Sequence, residues 1–103
     1  MQTELIIVSE YCRKTNLDPT FLNRLEEGGL IAIYIEEGEQ YFPADQLPDL
    51  ERYARLYYDL SINMEGIDVI HNLQLRMQEL ESKINYLQNK LRIYESDLFD
   101  EIE

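Results

Sequence analysis

The sequence predicts a mainly α chain, in which a small winged helix-turn-helix with a β-hairpin wing precedes a long coiled-coil helix. Three observations predict it. Apolar side chains recur in an unbroken three-four alternation at Ile70, Leu73, Met77, Leu80, Ile84, Leu87, Leu91, Tyr94 and Leu98. Ahead of that stripe, Asp18-Pro19 and Gly28-Gly29 punctuate two short segments of helical character. After them comes an apolar, β-branched run with a Glu37-Gly38 turn, which reads as a hairpin.

Leu5-Ile6-Ile7-Val8 reads as a short extended segment, and Ser9 is placed to cap a helix over Glu10 to Thr15, with Glu10 well sited in the first turn. Asn16 tolerates the left-handed turn that ends it. Asp18 accepts from the orphan amides of a second helix, and Pro19 at its first position has no amide to lose. That helix runs to about Glu27. Tyr11, Cys12, Leu17, Phe21, Leu22 and Leu25 are available to face inward between the two.

Leu30 to Ile35 then forms one strand of the wing and Gln40-Tyr41-Phe42 the other. A third helix covers about Ala44 to Leu60, with Leu47, Leu50, Ala54 and Tyr57 at helical spacing and Arg52 and Arg55 on other faces. Pro48 cannot sit deep inside it, so Ala44 to Leu47 is a tight or irregular first turn. Ser61-Ile62-Asn63 interrupts the pattern, Asn63 caps, and a final helix runs from Met64 to about Leu98 despite Gly66. The organisation is a winged body over 1–62, a dimerisation helix over 63–99 and a disordered acidic tail over 100–103.

Taking Ile70 as position a, the g positions are Arg76, Lys83, Lys90 and Asp97 and the e positions Gln74, Glu81, Gln88 and Glu95. Parallel pairing of two copies brings Arg76 near Glu81 and Lys90 near Glu95 of the partner. No asparagine at an a position fixes the register, so the orientation stays open. The stripe pairs with a second copy in a homodimer or folds back onto the body.

At 103 residues the chain has room for one modest domain and an appendage. Its net charge of −12 is spread along it, −5 over residues 1–43 and −7 over residues 44–103. Such a surface opposes the counterion-release binding of nucleic acid and suits a basic protein partner, or serves solubility alone. Cys12 is the only cysteine, which excludes an internal disulfide and fits a reducing, cytoplasmic location. No apolar run approaches the ~20 residues of a membrane span, and no basic leader precedes one.

Chemistry is not suggested. His71 and Cys12 are the only residues of their kinds and lie on different elements, so no metal site, cofactor, catalytic residue or small-molecule substrate is expected. The glycines at 28, 29, 38 and 66 form no phosphate-cradling motif. For DNA the candidates are Asn23 and Arg24 on the second helix with Arg13 and Lys14 on the first. Against them stand Glu26, Glu27, Glu36, Glu37 and Glu39, whose carboxylates repel phosphate.

The order helix-turn-helix, wing, helix, long helix resembles the MerR-like regulators. Phe21-Leu22-Asn23-Arg24-Leu25-Glu26-Glu27-Gly28-Gly29-Leu30-Ile31 looks like that superfamily's second helix and its exit into the wing. Arg55-Leu56-Tyr57-Tyr58-Asp59-Leu60-Ser61-Ile62-Asn63-Met64-Glu65-Gly66-Ile67, followed by Val69, Ile70 and Leu73, is similar to the signature of the chaperone modulator CbpM family. That resemblance covers roughly residues 4 to 95. It implies a small dimeric protein that binds the J-domain of a DnaJ-like co-chaperone related to CbpA, restraining its stimulation of DnaK and its DNA binding.

The acidic balance agrees, because a J-domain presents a basic helix. Typical MerR regulators carry a basic pair followed by tyrosine on the second helix, where this chain has Asn23-Arg24-Leu25. The expected contact residues are Asp49, Arg52, Tyr53, Arg55, Leu56 and Asp59 on the exposed side of the third helix and its junction, with Glu36, Glu37 and Glu39 of the wing as a second patch. The alternatives are a MerR-type DNA-binding regulator dimerising through the same helix, and a scaffold whose coiled coil pairs with a different protein.

Overall fold

In the computed structural model, residues 4–102 are described, with side chains described for residues 4–96. In chain order the elements are β1 (Leu5–Ile7), α1 (Val8–Thr15), α2 (Pro19–Glu27), β2 (Tyr34–Glu36), β3 (Glu39–Pro43), a 3-10 turn (Ala44–Gln46), α3 (Leu47–Ala54), a π-helical turn (Arg55–Asp59) and α4 (Met64–Ile102). They make a mainly helical chain with one small antiparallel sheet, the arrangement of a winged helix-turn-helix.

α1 begins one residue before the expected cap. Ile7 occupies the cap position with no side-chain hydrogen bond. Ser9 instead donates its hydroxyl to Glu39 Oε1 at 3.2 Å, tying α1 to the hairpin. Asn16 ends the helix in the left-handed region (φ 60°, ψ 32°), as its short polar side chain allows. Asp18 caps α2 by accepting from the Thr20 amide at 3.0 Å, with Pro19 as the first helical residue.

The wing is shorter and the sheet wider than expected. Leu30 and Ile31 turn into the core instead of joining a strand, and pairing starts at Tyr34. The Ala32 amide donates to Gln46 Oε1 (2.7 Å) and Gln46 Nε2 donates to the Ala32 carbonyl (3.0 Å), so one side chain satisfies a backbone that no strand covers. β2 and β3 close through Glu37 (φ 52°) and Gly38 (φ 80°), two successive left-handed residues that match a twisted two-residue hairpin. β1 pairs with the other edge of β3, Leu5 opposite Pro43 and Ile7 opposite Tyr41, giving the order β1-β3-β2.

The expected third helix divides in three. Pro48 falls in the first turn of α3, and the residues before it tighten into the 3-10 turn. Beyond Ala54 the helix widens. The Leu60 amide donates to the Arg55 carbonyl five residues back (3.1 Å), and Ile62 to Leu56 (2.9 Å). Ser61, at φ 56°, then turns the chain towards α4.

α1 supplies Val8 and Cys12 to the core, α2 supplies Phe21, Leu22 and Leu25, and Phe42, Leu50 and Tyr53 come from β3 and α3. Ile67 of α4 completes it, fully buried. Asn63 caps α4 by accepting from the Gly66 amide at 2.8 Å. A Cβ on Gly66 would stand 2.7 Å from Ile62 Cγ2, so any larger residue must displace Ile62.

The chain divides into two compact units, one ending at Val69 and one beginning at Ile70. The second is the continuation of α4. Along it Leu73, Met77, Leu80, Ile84, Leu87, Leu91 and Tyr94 are exposed, and so are Leu75, Tyr86 and Ile93 outside the stripe. The Leu98 side chain and the side chains of the expected tail over 100–103 lie outside the described residues. Among the described residues no helix is long and apolar enough to cross a membrane.

Candidate interaction surface

A helix-turn-helix presents α2, and six positions of α2 are exposed or half-exposed here: Pro19, Thr20, Asn23, Arg24, Glu26 and Glu27. Arg24 is exposed, and among the described residues no ion pair holds it. Asn23 is half-buried, its Oδ1 accepting from Gln40 Nε2 at 3.2 Å, which joins α2 to β3. Arg13 and Lys14 are exposed in the last turn of α1, where they complement the negative end of that helix. Of the four residues with a DNA-binding chemistry, three are therefore free at the surface and one is engaged within the body.

The wing carries the opposite charge. Glu36, Glu37 and Glu39 are all exposed, beside Tyr34 and Ile35, two large side chains left open on the edge strand. Glu26 and Glu27 bring two further exposed carboxylates to the C-terminal end of α2.

Across α3 and the π-helical turn the expected contact set separates into four kinds of residue. Arg55 and Asp59 are exposed on the π-helical turn. Asp49 and Arg52 are half-buried and pair with each other, Arg52 Nη2 to Asp49 Oδ1 at 3.2 Å, one turn apart. Leu56 is partly buried and packs against the core. Tyr53 corrects the expectation outright, because at 1 % exposure it is a core residue and belongs to no outer face. Burial, and after it the Asp49 carboxylate, pushes its phenol above the ordinary value, against the lowering effect of Arg52. The spacing of Leu50, Tyr53, Ala54 and Tyr57 at i, i+3, i+4 and i+7 is the signal that places it inward.

Sequence reasoning missed the tyrosine pair of the π-helical turn. Tyr57 and Tyr58 both lie against Phe21, with ring centroids 4.9 and 5.2 Å from it and 5.0 Å from each other. One depression of about 220 Å³ opens over this cluster beside Asp18 and Arg24. A second, of about 480 Å³, continues from Arg24 and Tyr57 to Glu27, Asn63, Met64 and Glu65. Two adjacent aromatics just before a helix break were the available clue, since a wide turn is what lets both reach one partner.

Cys12 is buried, and burial, with the Asp18 charge behind it, pushes its thiol up, which disfavours the nucleophilic thiolate. Among the described residues no group of three His, Cys, Asp or Glu side chains is placed to hold a metal ion.

Two short helices joined at Asn16 to Asp18, a hairpin behind them and α3 closing the core define a winged helix-turn-helix. The model of the MerR HTH family regulatory proteins matches residues 6–89, which spans the body and most of α4. The chain belongs to that family. Neither a curated protein nor a solved structure matches it.

Proposed function

We propose that this MerR-family chain is a non-enzymatic chaperone modulator that binds the J-domain of a DnaJ- or CbpA-like co-chaperone and inhibits its activity. The observation that carries this reading is the charge of the helix-turn-helix itself. The surface that would meet phosphates holds Glu26 and Glu27 on α2 and Glu36, Glu37 and Glu39 on the wing, all exposed. Carboxylates there repel a DNA backbone and attract the basic helix of a J-domain, raising association rate and selectivity. The docking surface includes those wing carboxylates with Arg55, Asp59 and the Asp49–Arg52 pair. The protein works in the cytoplasm as a homodimer, two copies of α4 covering each other's exposed seam as a coiled coil.

The resemblance of residues 55–67 to the modulator signature supports this reading, and the family match is compatible with it. Family membership, with Arg13, Lys14 and Arg24 exposed, favours a second reading, a DNA-binding regulator. Calorimetric titration against a purified J-domain, and against a random DNA duplex at two salt concentrations, separates them. The modulator binds the J-domain with micromolar or better affinity and leaves the duplex alone. Tight duplex binding that collapses with salt, with no J-domain binding, would establish the regulator instead.

A further inference from the structure

We infer that the groove from the N-terminus of α2 across the π-helical turn to the start of α4 is the docking site for a positively charged protein segment. Its Lys or Arg side chains reach the carboxylates at the two ends, and its apolar surface lies on Tyr57 and Tyr58. The inference rests on the reading of the chain as a binder of a basic protein, and it names the face and the chemistry.

The two depressions share Arg24 and Tyr57 in their walls, and the inferred groove runs through both. Three carboxylates line it, Asp18 at one end and Glu27 and Glu65 at the other, against the single cation Arg24. Glu27 is the telling charge. With Glu26 it occupies the last turn of α2, where the helix's own dipole is negative and a carboxylate is unfavourable to the fold. Among the described residues no cation pairs with either of them. Their charge therefore does not serve the folded body, and it remains available to an incoming cation.

The aromatic wall favours a protein over a small ion. Tyr58 is 46 % exposed yet braced from behind by Phe21 and Tyr57, so it is an anchor that loses little freedom on contact. Tyrosine faces also attract ammonium and guanidinium groups. Leu60, at the end of the turn, is a further exposed apolar side chain, at 64 %. Arg24, a donor only, has its guanidinium unpaired for main-chain carbonyls or a lone carboxylate of the occupant. A phosphate backbone meets three repulsive charges here for one attractive one.

The test is chemical-shift mapping on the isotope-labelled full chain, titrated with a purified J-domain, alongside affinities for Tyr58→Ala and for the double variant Glu27→Gln, Glu65→Gln. The site predicts shifts concentrated at residues 18–28, 57–60 and 63–65, and about a tenfold loss of affinity in each variant. The double variant alters only exposed positions, so it separates lost docking from lost folding. Binding with shifts confined to the wing, or unchanged affinity in the double variant, overturns the groove while the J-domain reading stands. No binding at all overturns both. Shifts at the groove with a DNA duplex in place of the J-domain overturn it in favour of a nucleic-acid face.

Discussion

Replacing Gly66 by alanine sets two effects of opposite sign against each other, and the structure decides between them. Alanine gains up to about 1 kcal/mol in a helix relative to glycine. Against that, its Cβ would stand 2.7 Å from Ile62 Cγ2 and 3.2 Å from Asn63 Oδ1. The Ile62 methyl is fixed to a branched Cβ, so it yields only by rotating χ1 or shifting backbone, at about 1–3 kcal/mol. Moving Asn63 also loosens the cap it gives to the Gly66 amide at 2.8 Å, a contribution of about 1 kcal/mol. The net expectation is a destabilisation of about 1–3 kcal/mol. In a body of this size that lowers Tm by about 5–15 °C, read by thermal unfolding followed by circular dichroism. Repeating the substitution in an Ile62→Ala background isolates the Ile62 contact, because that clash is then gone, only the Asn63 contact at 3.2 Å opposes the helix preference of alanine, and the loss shrinks. An unchanged or raised Tm for Gly66→Ala alone, or an equal loss in both backgrounds, would refute the reasoning.

Leu80 and Leu87 are 48 % and 61 % exposed, so about half of each side chain remains for a second copy to cover. In the proposed homodimer their four side chains contribute about 3–6 kcal/mol, and the proposal predicts that Leu80→Lys with Leu87→Lys weakens self-association about a hundredfold or more by sedimentation equilibrium. Asp18→Ala removes the acceptor for the Thr20 amide at 3.0 Å and lowers stability by about 1 kcal/mol in urea unfolding. Burial first, then Asp18, pushes the Cys12 thiol above its ordinary 9.0, and burial first, then Glu51, pushes the Tyr11 phenol above its ordinary 10.0. The unfolded chain therefore loses these protons at lower pH than the folded one. Their stabilisation is complete below the ordinary values and fades as the pH rises through the folded ones. The urea midpoint should fall on the alkaline side, and fall less steeply in Cys12→Ala; a midpoint unchanged with pH would contradict the assignment.

The elements most legible in the sequence are those whose cause is local. Asp18 before Pro19, Asn16 after a helix and Glu37-Gly38 between apolar runs each carry their conformation in their own chemistry, and each holds it in the structure. Pro48 likewise announced the tight turn before α3. What was not legible depends on distant partners. The pairing of β1 with β3 joins residues far apart in the chain and leaves no local mark. Leu30 and Ile31 read as a strand because an apolar run cannot by itself distinguish pairing from burial. Ser9 had the composition of a cap, but its hydroxyl found Glu39 across the body.

For the candidate site, charge was legible and shape was not. The wing carboxylates are exposed where the composition placed them. Tyr53 was assigned to the outside and lies in the core, because a tyrosine satisfies either face of a short helix until its neighbours are known. The groove beside Tyr57 and Tyr58 arises from the widening of the helix at Arg55–Asp59, a backbone event with no single-residue signature.

The most direct measurement is the ATPase rate of a DnaK-type chaperone, stimulated by a J-domain co-chaperone, as increasing amounts of this protein are added. Modulation through the J-domain predicts a fall to the unstimulated rate near one binding equivalent, and relief of that inhibition in the Glu27→Gln, Glu65→Gln variant. A stimulated rate that stays constant at saturating protein would contradict it.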